Sequence, residues 1–145
     1  MLIEDRAYSV PVSPDHQHAN GEIDIAEIIG TEPTVYAAAH GPWISASPRP
    51  DPKWKLSDEL QPGAAPSQDF HIYWISKETG TITIGMDDTA YATFTTEQLP
   101  DGGKWVQDLP FYLLLNLAVG GEWPGEVGPG ALPAQTETSI RVMTW

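Results

Sequence analysis

The stretch GEIDIAEIIG, Gly21 to Gly30, places three carboxylates within six positions and fills the spaces between them with isoleucine and alanine. On a helix of 3.6 residues per turn, Glu22 and Glu27 would stand about 140° apart and could not cooperate. On a regular strand side chains alternate, so Glu22 and Asp24 share one face while Glu27 falls on the other. One extra residue, a β-bulge near Ala26, returns Glu27 to the acidic face. The same bulge gathers Ile23, Ile25 and Ile28 on the opposite, buried face. The apolar and acidic patterns thus ask for one irregularity at one place, and they predict a bulged strand with Glu22, Asp24 and Glu27 side by side.

Three acids on one sheet face repel one another, so stability does not recommend them. Crowding raises at least one pKa and leaves one group protonated beside an ionised neighbour near neutral pH. A protonated acid and a carboxylate about 5–5.5 Å apart are the parts of a retaining glycosidase. Two long glutamates leaning over a shorter aspartate can reach that separation. On the residues alone, a solvated acidic strand face and a cation site remain open as other readings.

The whole composition narrows the choice of partner. The chain has 145 residues, 7 Lys plus Arg against 20 Asp plus Glu, and a net charge of −13. That surface repels nucleic acid and other polyanions and favours neutral or cationic partners. A length near 150 residues fits one domain, able to hide roughly 70% of its unfolded surface. No apolar run approaches the ~20 residues of a membrane span, and MLIEDRAYSV lacks the basic start and apolar stretch of a signal peptide. There is no cysteine, which removes disulfides, thiolate metal sites and thiol nucleophiles. Six tryptophans are many for this length and need a use.

Outward from the acidic stretch the readable segments are short and rich in β-branched or aromatic residues. They predict strands over Glu22–Ile29, Thr34–His40, Phe70–Ile75, Thr81–Met86, Tyr91–Thr95, Phe111–Val119 and Ser139–Trp145. GMDDTAY reads as a hairpin turn, and GGEWPGEVGPG as a long Gly/Pro loop. Pro42, Pro48, Pro50, Pro52, Pro62 and Pro66 exclude regular structure between Gly41 and Gln68. Short strands separated by Gly/Pro loops indicate an all-β sandwich or jelly roll.

At this point the residues resemble a family. EIDIAE resembles the E-x-D-x-x-E signature of glycoside hydrolase family 16, in the laminarinase-like branch with a bulged catalytic strand. MLIEDRAY is similar to the strand that leads into a variable loop, and AAAHGP to the strand after the signature. FHIYWISKETGTITIGMDD, FYLLLNLAVGGEWPG and SIRVMTW resemble later family segments, so the likeness covers nearly the whole chain.

The resemblance implies a concanavalin-like β-jelly-roll sandwich, with residues 1–145 forming one catalytic domain. The implied activity is retaining endo-hydrolysis of β-1,3 or mixed β-1,3/1,4 bonds in a neutral β-glucan, outside the cell and without a cofactor. Glu22 would be the nucleophile, Glu27 the acid and base, and Asp24 a hydrogen-bond partner that sets the charge of Glu22. His40 would lie near Glu27, although a histidine at a strand end also has an ordinary structural use. Sugar rings stack on indoles, which makes Trp123 the leading substrate-binding candidate, with Asn116 as a hydrogen-bonder and Trp43, in a loop, as a weaker stacking candidate. Trp54 and Trp105, in loops, are lesser candidates; Trp74 and Trp145, in strands, belong to the core, and Phe70 and Tyr73 pack with them.

Several features depart from the family. Family members carry a long N-terminal portion supplying strands of both sheets, so this chain resembles the later part of a jelly roll. Such a part would leave sheet edges open to self-association or to a complementing chain. A catalytically impaired carbohydrate-binding remnant is therefore the alternative to an enzyme. DHQHAN stands where the family has Trp-Pro, and its His16 and His18 share a face if extended but have no third metal ligand. Asp87-Asp88 replaces the expected Asp-Gly turn. Thr138 stands where the family has an acidic calcium ligand, which argues against structural calcium.

Overall fold

Alternation of apolar and polar residues builds most of the strands in this computed structural model, which describes residues 2–4, 21–44, 53–115, 123 and 125. In chain order they are β1 (Leu2–Glu4), β2 (Glu22–Glu27), β3 (Val35–Gly41), β4 (Trp54–Leu60), β5 (Tyr73–Glu78), β6 (Thr81–Met86), β7 (Thr89–Thr95) and β8 (Tyr112–Leu114). One sheet has the order β4-β3-β2-β1-β8 and the other β5-β6-β7. Every pairing is antiparallel. The described residues contain no α-helix, only short 3-10 turns at Pro66–Gln68 and Thr96–Gln98.

The two sheets share one core. Ile23 and Ile25 of β2, Val35, Ala37 and Ala39 of β3 and Trp54 of β4 meet Ile82, Ile84, Tyr91, Ala92 and Phe94 from the smaller sheet. Full burial of each isoleucine contributes about 1.5–3 kcal/mol. The alanines and Gly41 of β3 leave room for the large Trp54 indole. A Cβ on Gly41 would stand 2.4 Å from Trp54 Cζ2. Trp54 Nε1 donates to the Lys104 carbonyl at 3.1 Å, and Trp105 stacks against it with centroids 6.4 Å apart and planes inclined by 5°.

Five sequence expectations need correction. The proline-rich stretch does contain a strand, β4, because its prolines flank WKLSDEL and leave the interior free to donate backbone hydrogen bonds. Trp54 is consequently a core residue and not a loop residue. Phe70 is 93% exposed: β5 starts at Tyr73 and runs on to Glu78, while the chain before it is held by Ile72 N–H donating to Asp87 Oδ1 at 2.9 Å. Ile28 is 39% exposed, since β2 ends at Glu27 and the next residues turn through Glu32 N–H donating to the Ile29 carbonyl. Trp74 is half-buried over Gly85, with Nε1 donating to the Asp87 carbonyl. The expected strand Ser139–Trp145 and the end of Phe111–Val119 lie outside the described residues.

The Asp87-Asp88 turn works without glycine because Asp87 accepts the left-handed conformation, φ 51°. Its carboxylate also accepts from His71 Nδ1 at 2.7 Å, and its N–H donates to the Ile72 carbonyl at 2.8 Å. The Ile72 N–H and His71 together hold the Asp87 carboxyl below the usual carboxylate range.

Candidate functional site

The bulge lies where the three acids require it, although Ile28, the one isoleucine that called for it, is exposed. Asp24 pairs with Ala38 and Glu27 with Tyr36, so Ile25 and Ala26 together occupy the space opposite the single Ala37. Ile25 and Ala26 are both buried, and Glu27 is half-buried on the face of Glu22. Directly opposed residues share a face. One face of the large sheet therefore carries three rows: Glu22, His40 and Lys55; Asp24, Ala38 and Ser57; Glu27, Tyr36 and Glu59.

Each acid has a different environment. Glu22 Oε2 receives Lys53 Nζ at 2.8 Å, with both side chains about three-quarters buried. Asp24 is 2% exposed; its Oδ2 lies 3.2 Å from His40 Nε2, while its buried Oδ1 receives no hydrogen bond from the described residues. Burial pushes the Glu27 carboxyl up, and the Asp24 charge pushes it further, against the opposing pull of Lys55 and His40. Glu27 therefore keeps its proton to higher pH than an ordinary glutamate, beside the more deeply buried Asp24 and on the face that also carries Glu22.

His40 stands opposite Glu22 in the ladder, bonds Asp24, and acts on Glu27 through space. Its carbonyl accepts Gln107 Nε2 at 2.7 Å, and Gln107, wholly buried, also accepts the Val106 N–H at 3.0 Å. Trp123 is 53% exposed and meets the Tyr36 ring edge-on, with centroids 5.0 Å apart; Tyr36 is the ladder partner of Glu27. Trp43, half-buried, packs against the core and bridges to Gly103. Asn116, His16 and His18 lie outside the described residues. Among the described residues no group of His, Asp or Glu is arranged to hold a metal.

Sequence reasoning missed Lys53, Lys55, Tyr36 and Gln107. The alternation K-W-K-L signals the two lysines, since the buried Trp54 turns both of its neighbours to the other face. Nothing local marks Gln107, whose role depends on a carbonyl 67 positions away.

Comparison with known proteins gives a consistent neighbourhood. The model of Glycosyl hydrolases family 16 matches residues 7–142. The chain is 34% identical to a β-glucanase of Rhodothermus marinus, over 100% of this chain and 50% of that protein. The laminarinase catalytic domain of Thermotoga maritima superposes with a TM-score of 0.58 and 38% identity, over 73% of this chain and 42% of that one. The endo-β-1,3-glucanase of Pyrococcus furiosus gives 0.58 and 41%, over 73% and 40%. The chain thus spans about half, or less, of each relative's length. Its two antiparallel sheets are those of the laminarinase jelly roll. With the family match running across the acidic strand and nearly the whole length of the sequence, this chain belongs to glycosyl hydrolases family 16.

Proposed function

We propose that the chain carries the catalytic strand of a retaining endo-β-glucan hydrolase acting on β-1,3 or mixed β-1,3/1,4 bonds of a neutral polysaccharide. The observation that carries the reading is the bulge, which sets Glu22, Asp24 and Glu27 on one face and leaves Glu27 with a raised pKa. The relatives' names, β-glucanase, laminarinase and endo-β-1,3-glucanase, supply the substrate class. In this reading Glu27 protonates the leaving oxygen while Glu22 attacks the anomeric carbon, and Glu27 then deprotonates the water that releases the sugar. Along the strand the two α-carbons are about 13 Å apart, four regular spacings once the bulge is discounted. Both side chains must therefore lean over Asp24 to reach the working distance. The Asp24 oxygen with no described donor is a ready acceptor for a proton on a neighbouring carboxyl. Trp123 and Tyr36 form an aromatic wall beside Glu27 on which a sugar ring can stack.

Reducing-sugar release from laminarin and lichenan tests the proposal. Glu22→Gln and Glu27→Gln are each expected to lower kcat by about 10²–10⁴-fold or more, with retained configuration in the first product of the unsubstituted chain. Activity that survives both substitutions refutes the roles. Binding of laminari-oligosaccharides without cleavage would instead identify a carbohydrate-binding remnant.

A further inference from the structure

The acidic strand is not the only bulged one. In the smaller sheet Ile84 pairs with Ala92 and Gly85 with Ala90, so Tyr91 is the extra residue of β7. This second bulge turns Tyr91 and Ala92 both inward, where they are buried. Tyr91 crosses the core, and its hydroxyl donates to the carbonyl of Ile25 inside the β2 bulge. A bulge locally disrupts its ladder, and a carbonyl exposed by that disruption among Ile25, Ala26 and the core would be costly if it found no donor. Burial pushes the Tyr91 phenol up, so it stays protonated and can donate.

We propose that Tyr91 is a positioning residue for the acidic strand: its hydroxyl, bonded to the Ile25 carbonyl, holds the β2 bulge that turns Glu27 toward the face of Glu22 and Asp24. The geometric part stands on the two register shifts and the hydrogen bond between them. Only its effect on turnover rests on the proposed function. Without the hydroxyl, β2 is free to relax toward regular alternation, which carries Glu27 away from its face. The groups that act on Glu27 there are Asp24, Glu22, Lys55 and His40, with Tyr36 and Glu59 in the same row. Burial and Asp24 dominate among them, so Glu27 titrates lower once it leaves.

The test compares the unsubstituted chain with Tyr91→Phe, which keeps the ring, and with Phe94→Leu, a core substitution in the same strand. Carbon-13 NMR follows the Glu27 carboxyl through a pH titration, assigned with Glu27→Gln, and hydrogen exchange follows the amides of residues 25–27. In Tyr91→Phe the Glu27 midpoint is expected to fall toward 4.5, with those amides exchanging about ten-fold faster or more. Phe94→Leu should leave the midpoint in place. An unmoved Glu27 midpoint in Tyr91→Phe overturns the proposal, and so does an equal fall in Phe94→Leu. If Tyr91→Phe does not fold, the unsubstituted chain decides: a slowly exchanging Tyr91 hydroxyl splits the ring Cζ signal in mixed H2O and D2O, and a single averaged signal refutes the bond. On laminarin, Tyr91→Phe should lower kcat about ten-fold with KM little changed. A chain inactive on every glucan would sink the proposed function alone, because the titration needs no turnover.

Discussion

Gly41 offers a sharp test of how the core holds the site. Its backbone has an ordinary conformation, so alanine is not excluded by φ; what excludes it is the Trp54 indole. A Cβ there meets Cζ2 at 2.4 Å, Cε2 at 2.7 Å and Nε1 at 3.0 Å, whereas ordinary contact begins at 3.4 Å. The indole must retreat by about 1 Å in a packed interior. It has little room, because Trp105 stacks on it and a Cβ on Gly103 would already be within 3.2 Å of its Cδ1. Overpacking of this kind costs about 1–3 kcal/mol. Displacing Nε1 from the Lys104 carbonyl costs about 1 kcal/mol more, offset by about 0.5–1 kcal/mol from the stiffer unfolded chain. Gly41→Ala should therefore destabilise by about 1–3.5 kcal/mol, read as a lower urea midpoint at unchanged slope. Pairing it with Trp54→Leu in a double-mutant cycle should recover part of the loss, because the smaller side chain removes the clash. A loss below about 0.5 kcal/mol, or strict additivity in the cycle, would refute the reasoning.

Three further outcomes are expected. Glu27 is raised in the fold, so its contribution is fully present below its unfolded value of 4.5 and is lost as pH rises through the folded one; Glu27→Gln should be more stable than the unsubstituted chain at neutral pH, with the gap closing toward pH 4.5 in urea titrations, and no gap would contradict the burial argument. Asp87 is lowered, so its contribution is present above 3.8 and is lost as pH falls through the folded value; Asp87→Ala should lower the Tm most above that value, and Asp87→Asn less than Asp87→Ala because asparagine also tolerates φ 51°. The Lys53–Glu22 pair is only partly buried, so Lys53→Ala should cost no more than about 1 kcal/mol and less at high salt; a larger, salt-insensitive loss would mean a different role for Lys53.

The acidic strand was legible because its three acids cannot share one face under strict alternation. A bulge brings them together, and the register of β2 against β3 contains one. Ile28 was misread because the isoleucine pattern continues past the point where pairing stops, and chain turning is not written in hydrophobicity. β4 was hidden by its surroundings: six prolines suggested irregularity throughout, yet a proline-free run of seven residues suffices for a strand. Phe70 shows the opposite error, an aromatic residue with strand propensity left in solvent, its N–H held by the Asp69 carboxylate and the following His71 and Ile72 by that of Asp87. Lys53, Gln107 and Tyr91 reach the site through contacts over 31 to 67 positions, which no local pattern encodes.

Among the described residues the strand order gives β2 the middle place of five, with two strands on either side. A slip at Glu22 and Asp24 would break two ladders at once, since both β1 and β3 pair there, whereas Glu27 is paired by β3 alone. The rim is governed differently. β4 has β3 on one side and no strand on the other among the described residues, and it presents Lys55, Ser57 and Glu59 to the acidic face. Mutation can revise those three positions while leaving the acids in register. The sheet thus separates a measuring element at its centre from an adjustable margin, and substitutions that retune ligand preference without disturbing the acids are expected along β4 before any on β2.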